Sequence, residues 1–268
     1  MKRALWTALL ATMLVPLASP AAPAQADAEA ARPKTIVTLT FDDGDASHAK
    51  VARILEKHHM RGTFYVNSGT LGTKGKLSRK QVVAIQKAGH EIGGHTLTHP
   101  YLTQLSFEQQ RAEICDDRAA LLKMGLRVRT FAYPYGALDA GAKQAARQCG
   151  YNAARTVGGL SNRRCKTCVV AEPMRPETLY SVRTPGSVLV DATPAQIEQL
   201  VVNAERSGGG VLPLVFHHMC DKCDTYSVSE RTLTRFLDWL AKRKSHGTVV
   251  RRFGDVIGGK MRPVPTED

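Results

Sequence analysis

Ile36-Val37-Thr38-Leu39-Thr40-Phe41-Asp42-Asp43-Gly44-Asp45 passes abruptly from an apolar, β-branched run into two adjacent carboxylates and a glycine. From Ile36 to Phe41 it reads as a buried strand. Side chains alternate faces along a strand. Asp42 and Asp43 can therefore serve one site only if the chain leaves the strand there, and Gly44 permits that turn. Two carboxylates at the mouth of an apolar strand repel each other and lose hydration, a cost that a cation or hydrogen-bond donors must offset. Taken alone, the commoner reading is a strand ending in an Asp-Gly turn. The groups that follow change that reading.

The chain opens with Met1-Lys2-Arg3, an apolar run from Ala4 to Leu17, and small residues leading to Ala24-Gln25-Ala26. This is the layout of a secretory signal peptide over 1–26, followed by a disordered Ala-rich tether over 27–33. The apolar run is too short for a spanning helix, so no stable membrane insertion is expected after cleavage. The ~235 residues that remain suffice for one sizeable core. The folded body is placed at 34–260 and a tail at 261–268. The formal charge is +13, of which Lys2 and Arg3 contribute two. A basic surface favours acidic partners such as anionic wall polymers. Nucleic acid is not among them, because the basic residues are dispersed rather than interleaved with aromatics.

The six cysteines are Cys115, Cys149, Cys165, Cys168, Cys220 and Cys223. An even count in an exported chain predicts disulfides. The expected pairs are Cys165 with Cys168, Cys220 with Cys223, and Cys115 with Cys149 on consecutive helices, the last assigned largely by elimination. Alternatively, the two C-x-x-C pairs together could form a zinc knuckle.

Downstream, strand and helix patterns alternate. Gly62 to Val66, Glu91 to Gly93, Thr130 to Ala132, Asn152 to Thr156, Val211 to Phe216 and Thr248 to Val250 read as strands. Helical stripes or caps fall between most of them, for example Ser78 with Gln81 and Ser106 with Gln109. Ser161 to Pro176 reads as a loop. Such alternation predicts a parallel sheet, as a barrel or an open sheet. The polar clusters sit at strand C-termini, where both architectures place their sites.

His95 and His99 are four apart, and on a helical turn that spacing puts both imidazoles on one side of a cation. With Asp43 they form a His, His, carboxylate set with open positions, the catalytic form of a divalent metal site. Asp42 is then suited to be a general base, and His217 an acid.

Thr40-Phe41-Asp42-Asp43-Gly44, His95-Thr96-Leu97-Thr98-His99, Tyr133-Pro134-Tyr135-Gly136 and Leu214-Val215-Phe216-His217 occur in the order and rough spacing of the polysaccharide deacetylases. The chain resembles their NodB-homology domain, carbohydrate esterase family 4, over residues 34–255. The resemblance implies an α/β fold, a distorted (β/α) barrel of about seven parallel strands with a groove for a polymer. It implies a divalent metal on Asp43, His95 and His99, most often zinc; cobalt, nickel or manganese also suit these ligands. It makes Asp42 the base, His217 the acid and the Tyr135 backbone N–H an oxyanion donor. The implied reaction is removal of N-acetyl groups from N-acetylglucosamine units of chitin, peptidoglycan or a related glycan. The alternatives are an O-acetyl esterase on a xylan-like glycan and a non-catalytic carbohydrate-binding protein. A secreted or cell-surface monomer acting on an acetylated polysaccharide is expected.

Three positions depart from the family pattern. Ala132 stands where an arginine often orients the base. The usual Asp-and-Trp motif is not visible between Pro173 and Pro194, with Arg183 the nearest candidate substitute. His218 follows His217 where Asp is common, which leaves the choice of acid open between the two.

Overall fold

The computed structural model describes residues 34–162 and 164–263. The proposed signal peptide, the tether and residues 264–268 of the proposed tail lie outside them. Strand β1 (Thr35–Phe41) leads through α1 (His48–Lys57) to β2 (Thr63–Val66), then α2 (Arg79–Lys87), β3 (Glu91–Gly94), α3 (Phe107–Lys123), β4 (Thr130–Ala132), α4 (Ala140–Gln148) and β5 (Ala153–Gly159). Strand β6 (Val182–Thr184), α5 (Pro194–Arg206) and β7 (Gly210–Phe216) follow. A small ribbon of β8 (His218–Met219) and β9 (Ser227–Val228) precedes α6 (Glu230–Ala241), β10 (Thr248–Val250) and α7 (Phe253–Ile257). The helix starts carry the expected chemistry: Ser78 with Gln81 and Ser106 with Gln109 form reciprocal capping boxes.

Strands β1 to β7 and β10 form one parallel sheet. One edge of β1 pairs with β7 along its whole length, from Thr35↔Gly210 to Phe41↔Phe216. Its other edge is shared: Thr35 to Val37 pair with β10, and Thr40 and Phe41 pair with β2. From β2 the order runs through β3, β4 and β5 to β6. Beyond β6, Ser187 bridges Val215 of β7, and the Val188 N–H donates to the Val215 carbonyl at 2.8 Å. The sheet thus curls round to its own first edge, with seven strands in sequence and β10 wedged beneath β2. Strand β6 was not predicted, since Val182-Arg183-Thr184 has a charged centre and offers no apolar run to read.

Alternation divides the side chains between two faces. Val37, Leu39, Phe41, Phe64, Ile92, Phe131 and Phe216 join the large buried cluster under the helices. Phe41 stacks between Phe64 and Phe216, at ring separations of 5.0 and 5.3 Å. The other face forms a mostly polar interior. There Glu91 accepts from the hydroxyls of Thr63 (2.9 Å) and Thr130 (2.8 Å) and from the Gly254 N–H (2.7 Å) at the start of α7. Phe253 follows the same route inward and packs with Tyr65, Ala132, Ala153 and Val182. Burial raises the pKa of Glu91, and these donors reverse that only in part. A Cβ on Gly93 would lie 2.4 Å from a Tyr65 ring carbon, so the glycine is what lets that ring cross the interior.

Cys115–Cys149, Cys165–Cys168 and Cys220–Cys223 are bridged as expected, which overturns the zinc-knuckle alternative. The first ties α3 to the end of α4 across 34 residues. A loop of that length stabilises by about 3–4 kcal/mol on the chain-entropy account, far more than either short C-x-x-C loop. Thiol titration of denatured, unreduced protein should find no free cysteine; four zinc-protected thiols would restore the knuckle. Arg262 and Pro263 are hydrogen-bonded to the body. Arg118 donates to the carbonyls of Arg262 (2.6 Å) and Pro263 (3.3 Å), and Arg262 donates to the Tyr180 hydroxyl at 2.7 Å.

Candidate active site

Strand alternation separates the two neighbouring aspartates. Phe41 points to the helical layer, so Asp42 points into the interior. Its N–H continues the ladder to the Phe216 carbonyl at 2.9 Å. Asp43 then leaves the strand with φ 73°, and the Gly44 N–H binds the Tyr65 carbonyl at 3.1 Å. The same alternation turns His95, after β3, and His217, after β7, toward Asp42.

The expected helical turn over His95 to His99 is not formed. Thr96 and His99 have φ values of 69° and 68°, which no right-handed helix contains. The loop is shaped from outside instead. Asn67 donates to the carbonyls of His95 and Thr96. The N–H groups of Leu97 and Thr98 donate to the backbone and side chain of Glu113 on α3, each at 2.9 Å. Asp117, fully buried on the same helix, accepts from the N–H groups of His95 (3.0 Å) and Ser68 (2.8 Å). Burial pushes Asp117 up to about 7 despite those donors.

The Nδ1–H of His95 donates to the Ala132 carbonyl at 2.7 Å, which leaves Nε2 as a lone-pair donor. That atom lies 3.3 Å from Asp43 Oδ1, and His99 Nε2 lies 3.1 Å from the same oxygen. Burial alone would raise the pKa of Asp43, but the two histidines hold it far below the usual carboxylate range. Asp43 Oδ1 is nonetheless buried with no donor in hydrogen-bonding geometry. Three ligand atoms within 4.8 Å of one another, one of them orphaned, fit a shared cation better than a set of ion pairs. The residues present therefore fit the implied metal.

Asp42 meets an arginine that the sequence reading missed. Arg155 of β5 donates from Nη2 to Asp42 Oδ1, with both side chains almost fully buried. Its guanidinium lies over the Tyr65 ring, 4.7 Å from the centroid. Arg155 is the register partner of Ala132. The arginine absent from position 132 is thus supplied at the same level one strand over, and the small Ala132 leaves room for it. Burial opposes ionisation of Asp42, but Arg155, His95 and His217 outweigh it and lower the pKa. A lone arginine in an otherwise apolar strand, Ala153-Ala154-Arg155, was the available signal.

His217 Nε2 stands 4.0 Å from Asp42 Oδ2. Its carbonyl binds Nε2 of the buried His48 at 2.7 Å. Burial lowers the pKa of His217, partly opposed by Asp42 and Asp43. His218 turns elsewhere: its Nδ1 binds Asp45 Oδ2 at 3.0 Å, which raises its pKa. Arg183 does not substitute for the missing Asp-and-Trp motif. It forks onto Glu172 through Nε (2.9 Å) and Nη2 (2.7 Å), and His217 Nδ1 has no partner among the described residues. Tyr135 has φ 59° in a tight turn, with its ring edge-on to His99 at 4.6 Å. Asp42, Asp43, His95, His99, Tyr135 and His217 all line one open cleft of about 1260 Å³. A carboxylate aimed at a three-ligand centre, with an imidazole beside it, can deprotonate water and protonate a leaving group.

Residues 29–154 match the family model for polysaccharide deacetylase. A peptidoglycan-N-acetylmuramic acid deacetylase of Bacillus subtilis is 31% identical over 107 residues, 39% of this chain and 22% of its own length. A peptidoglycan-N-acetylglucosamine deacetylase of Listeria monocytogenes is 30% identical over 117 residues, 42% of this chain and 24% of its own length. The chain thus spans about a quarter or less of each of these relatives. Among solved structures, the carbohydrate esterase family 4 domain of a multidomain xylanase from the hindgut metagenome of Trinervitermes trinervoides superposes with a TM-score of 0.56 at 18% identity. That match covers 83% of this chain and 89% of the other, and it speaks to the fold alone.

Proposed function

We propose, from the match of residues 29–154 to the polysaccharide deacetylase family model, that this chain is an exported, metal-dependent hydrolase that removes N-acetyl groups from N-acetylglucosamine-type units of a glycan. The observation that carries this reading is the convergence of Asp43, His95 and His99 on one point, with Asp42 and His217 facing it in the same cleft. The three bridged cysteine pairs support export, since such bridges persist in oxidising compartments.

Asp43, His95 and His99 would hold one divalent ion, with zinc the best match to two imidazoles and a carboxylate. Such an ion supplies Lewis acidity toward the acetyl carbonyl and toward water. Asp42, kept ionised and aimed by Arg155, takes the proton of the attacking water. The Tyr135 N–H donates to the carbonyl oxygen as negative charge develops there. His217 delivers a proton to the departing nitrogen.

Elemental analysis of the purified chain should find one divalent metal, lost in His95→Ala and in His99→Ala. Full occupancy in both variants would remove the proposed centre. Acetate release from acetylated oligosaccharides tests the activity. Release from O-acetylated xylan oligomers alone would make the chain an esterase, and glycan affinity without acetate release would make it a binding protein.

A further inference from the structure

The tyrosines are distributed unevenly between interior and surface. Tyr65, Tyr133 and Tyr151 are fully buried and Tyr180 is half-buried. Tyr101, Tyr135 and Tyr226 leave 46%, 52% and 48% of their surface exposed. All three line the one cleft that holds the metal-type cluster. Aromatic rings usually bury themselves, and a group of exposed ones marks a surface that something apolar covers.

Two of these rings flank the proposed acetyl site on different sides. Tyr101 lies flat against Tyr135, with ring centroids 3.7 Å apart and planes within 5°. Tyr135 in turn abuts His99, so the outer Tyr101 face is fixed beside the metal ligands that follow β3. Tyr226 belongs to the segment after β7, and its ring is 5.2 Å from that of His217. Strands β1 and β2 separate β7 from β3 in the sheet. The Tyr226 loop is firmly held. The Tyr226 N–H binds Asp224 Oδ1 at 2.7 Å, and the Thr225 carbonyl accepts from Val190 at 2.9 Å. The Cys220–Cys223 bridge and the His218–Asp45 contact anchor the same segment. Both rings are preorganised, so covering them costs little conformational entropy.

A pyranose ring presents an apolar face of axial C–H groups, which matches a fixed aromatic face. Resting on the deacetylase reading above, we propose that Tyr101 and Tyr226 are stacking surfaces for the sugars on either side of the unit that loses its acetyl group. The substrate is then at least three consecutive acetylated hexosamine units, and the unit attacked is internal rather than terminal.

The test uses N-acetylglucosamine oligomers of one to five units with the full chain. kcat/KM should rise steeply once three units are present, and mass-spectrometric sequencing should place the freed amine at an internal unit. Tyr101→Ala and Tyr226→Ala should each lower kcat/KM for the pentamer by about tenfold, equivalent to ~1.4 kcal/mol, and lower that for the monomer far less. Tyr101→Phe and Tyr226→Phe should restore most of the loss, because the ring rather than the hydroxyl does the stacking. Calorimetric binding of the pentamer to Asp42→Asn, with and without each tyrosine change, provides a readout independent of turnover. Tyrosine-dependent binding of the pentamer by the unaltered, metal-loaded chain without acetate release would sink the deacetylase reading and keep the two stacking surfaces. Length dependence that survives both alanine changes, Phe variants as impaired as the Ala ones, or no affinity for the pentamer would each overturn it.

Discussion

Asp42→Asn should keep its metal and lose acetate release by a factor on the order of 10² to 10⁴, the usual contribution of a general base. Asparagine matches aspartate in shape and still offers Arg155 an acceptor oxygen, but it cannot take a proton from water. The metal ligands Asp43, His95 and His99 are untouched by the change, so elemental analysis should show unchanged occupancy. His217→Ala should fall into the same range, and His218→Ala should lose much less, since His218 is turned onto Asp45. Amide substrates should suffer more than esters from loss of His217, because an amine leaves poorly unless it is protonated. Near-normal turnover by metal-loaded Asp42→Asn would refute the base assignment. A dead His218→Ala beside an active His217→Ala would move the acid by one residue.

Arg155→Met should be the most destabilising single change at the site. The substitution fills similar space but leaves the buried Asp42 carboxylate without its ion-pair partner, at an expected cost of about 3–5 kcal/mol. Burial is the largest influence on Asp42 and acts to raise its pKa, and Arg155 is the leading influence opposing it. Without Arg155 the pKa of Asp42 should therefore rise. The base would then be protonated at pH values where the parent is active, and the acidic limb of the pH–rate profile should move to higher pH. Asp42→Asn combined with Arg155→Met should recover part of the lost stability, because the second change removes the stranded charge. Thermal melts of the four proteins and the pH profile of Arg155→Met check this. A variant that melts like the parent with an unmoved acidic limb would show that the pair is not what keeps Asp42 ionised.

Much of this site could be read along the chain because local rules govern it. The turn out of β1 follows from Phe41, Asp42, Asp43 and Gly44 alone, and the strand ends that carry His95, Tyr135 and His217 announce themselves by apolar runs that stop. Arg155 could not be placed the same way. Its value depends on sitting beside Ala132, and that neighbour is set by strand register rather than by sequence distance. The turn at His95 to His99 went wrong for a related reason. A spacing of four suits a helix, but it also suits a loop bent by Asn67, Glu113 and Asp117, none of which lies within the motif. Asp117 gave no sign of its role, since an aspartate within a helix is ordinarily a solvated one. The choice between His217 and His218 awaited a partner for the second, and Asp45 is that partner.

The edges of β1 also carry a kinetic consequence. The strand that aims Asp42 and Asp43 precedes every other described strand in sequence, yet one edge is completed by β7 and the lower half of the other by β10, both far downstream. Contacts between such distant segments form slowly, because the intervening loop must close before any pairing rewards it. The helices and the local pairs from β2 to β5 can assemble early, while the strand bearing the two aspartates waits for Gly210–Phe216 and Thr248–Val250. A chain that stops short of Thr248 would carry every residue of the site and still lack one border of the strand that directs two of them.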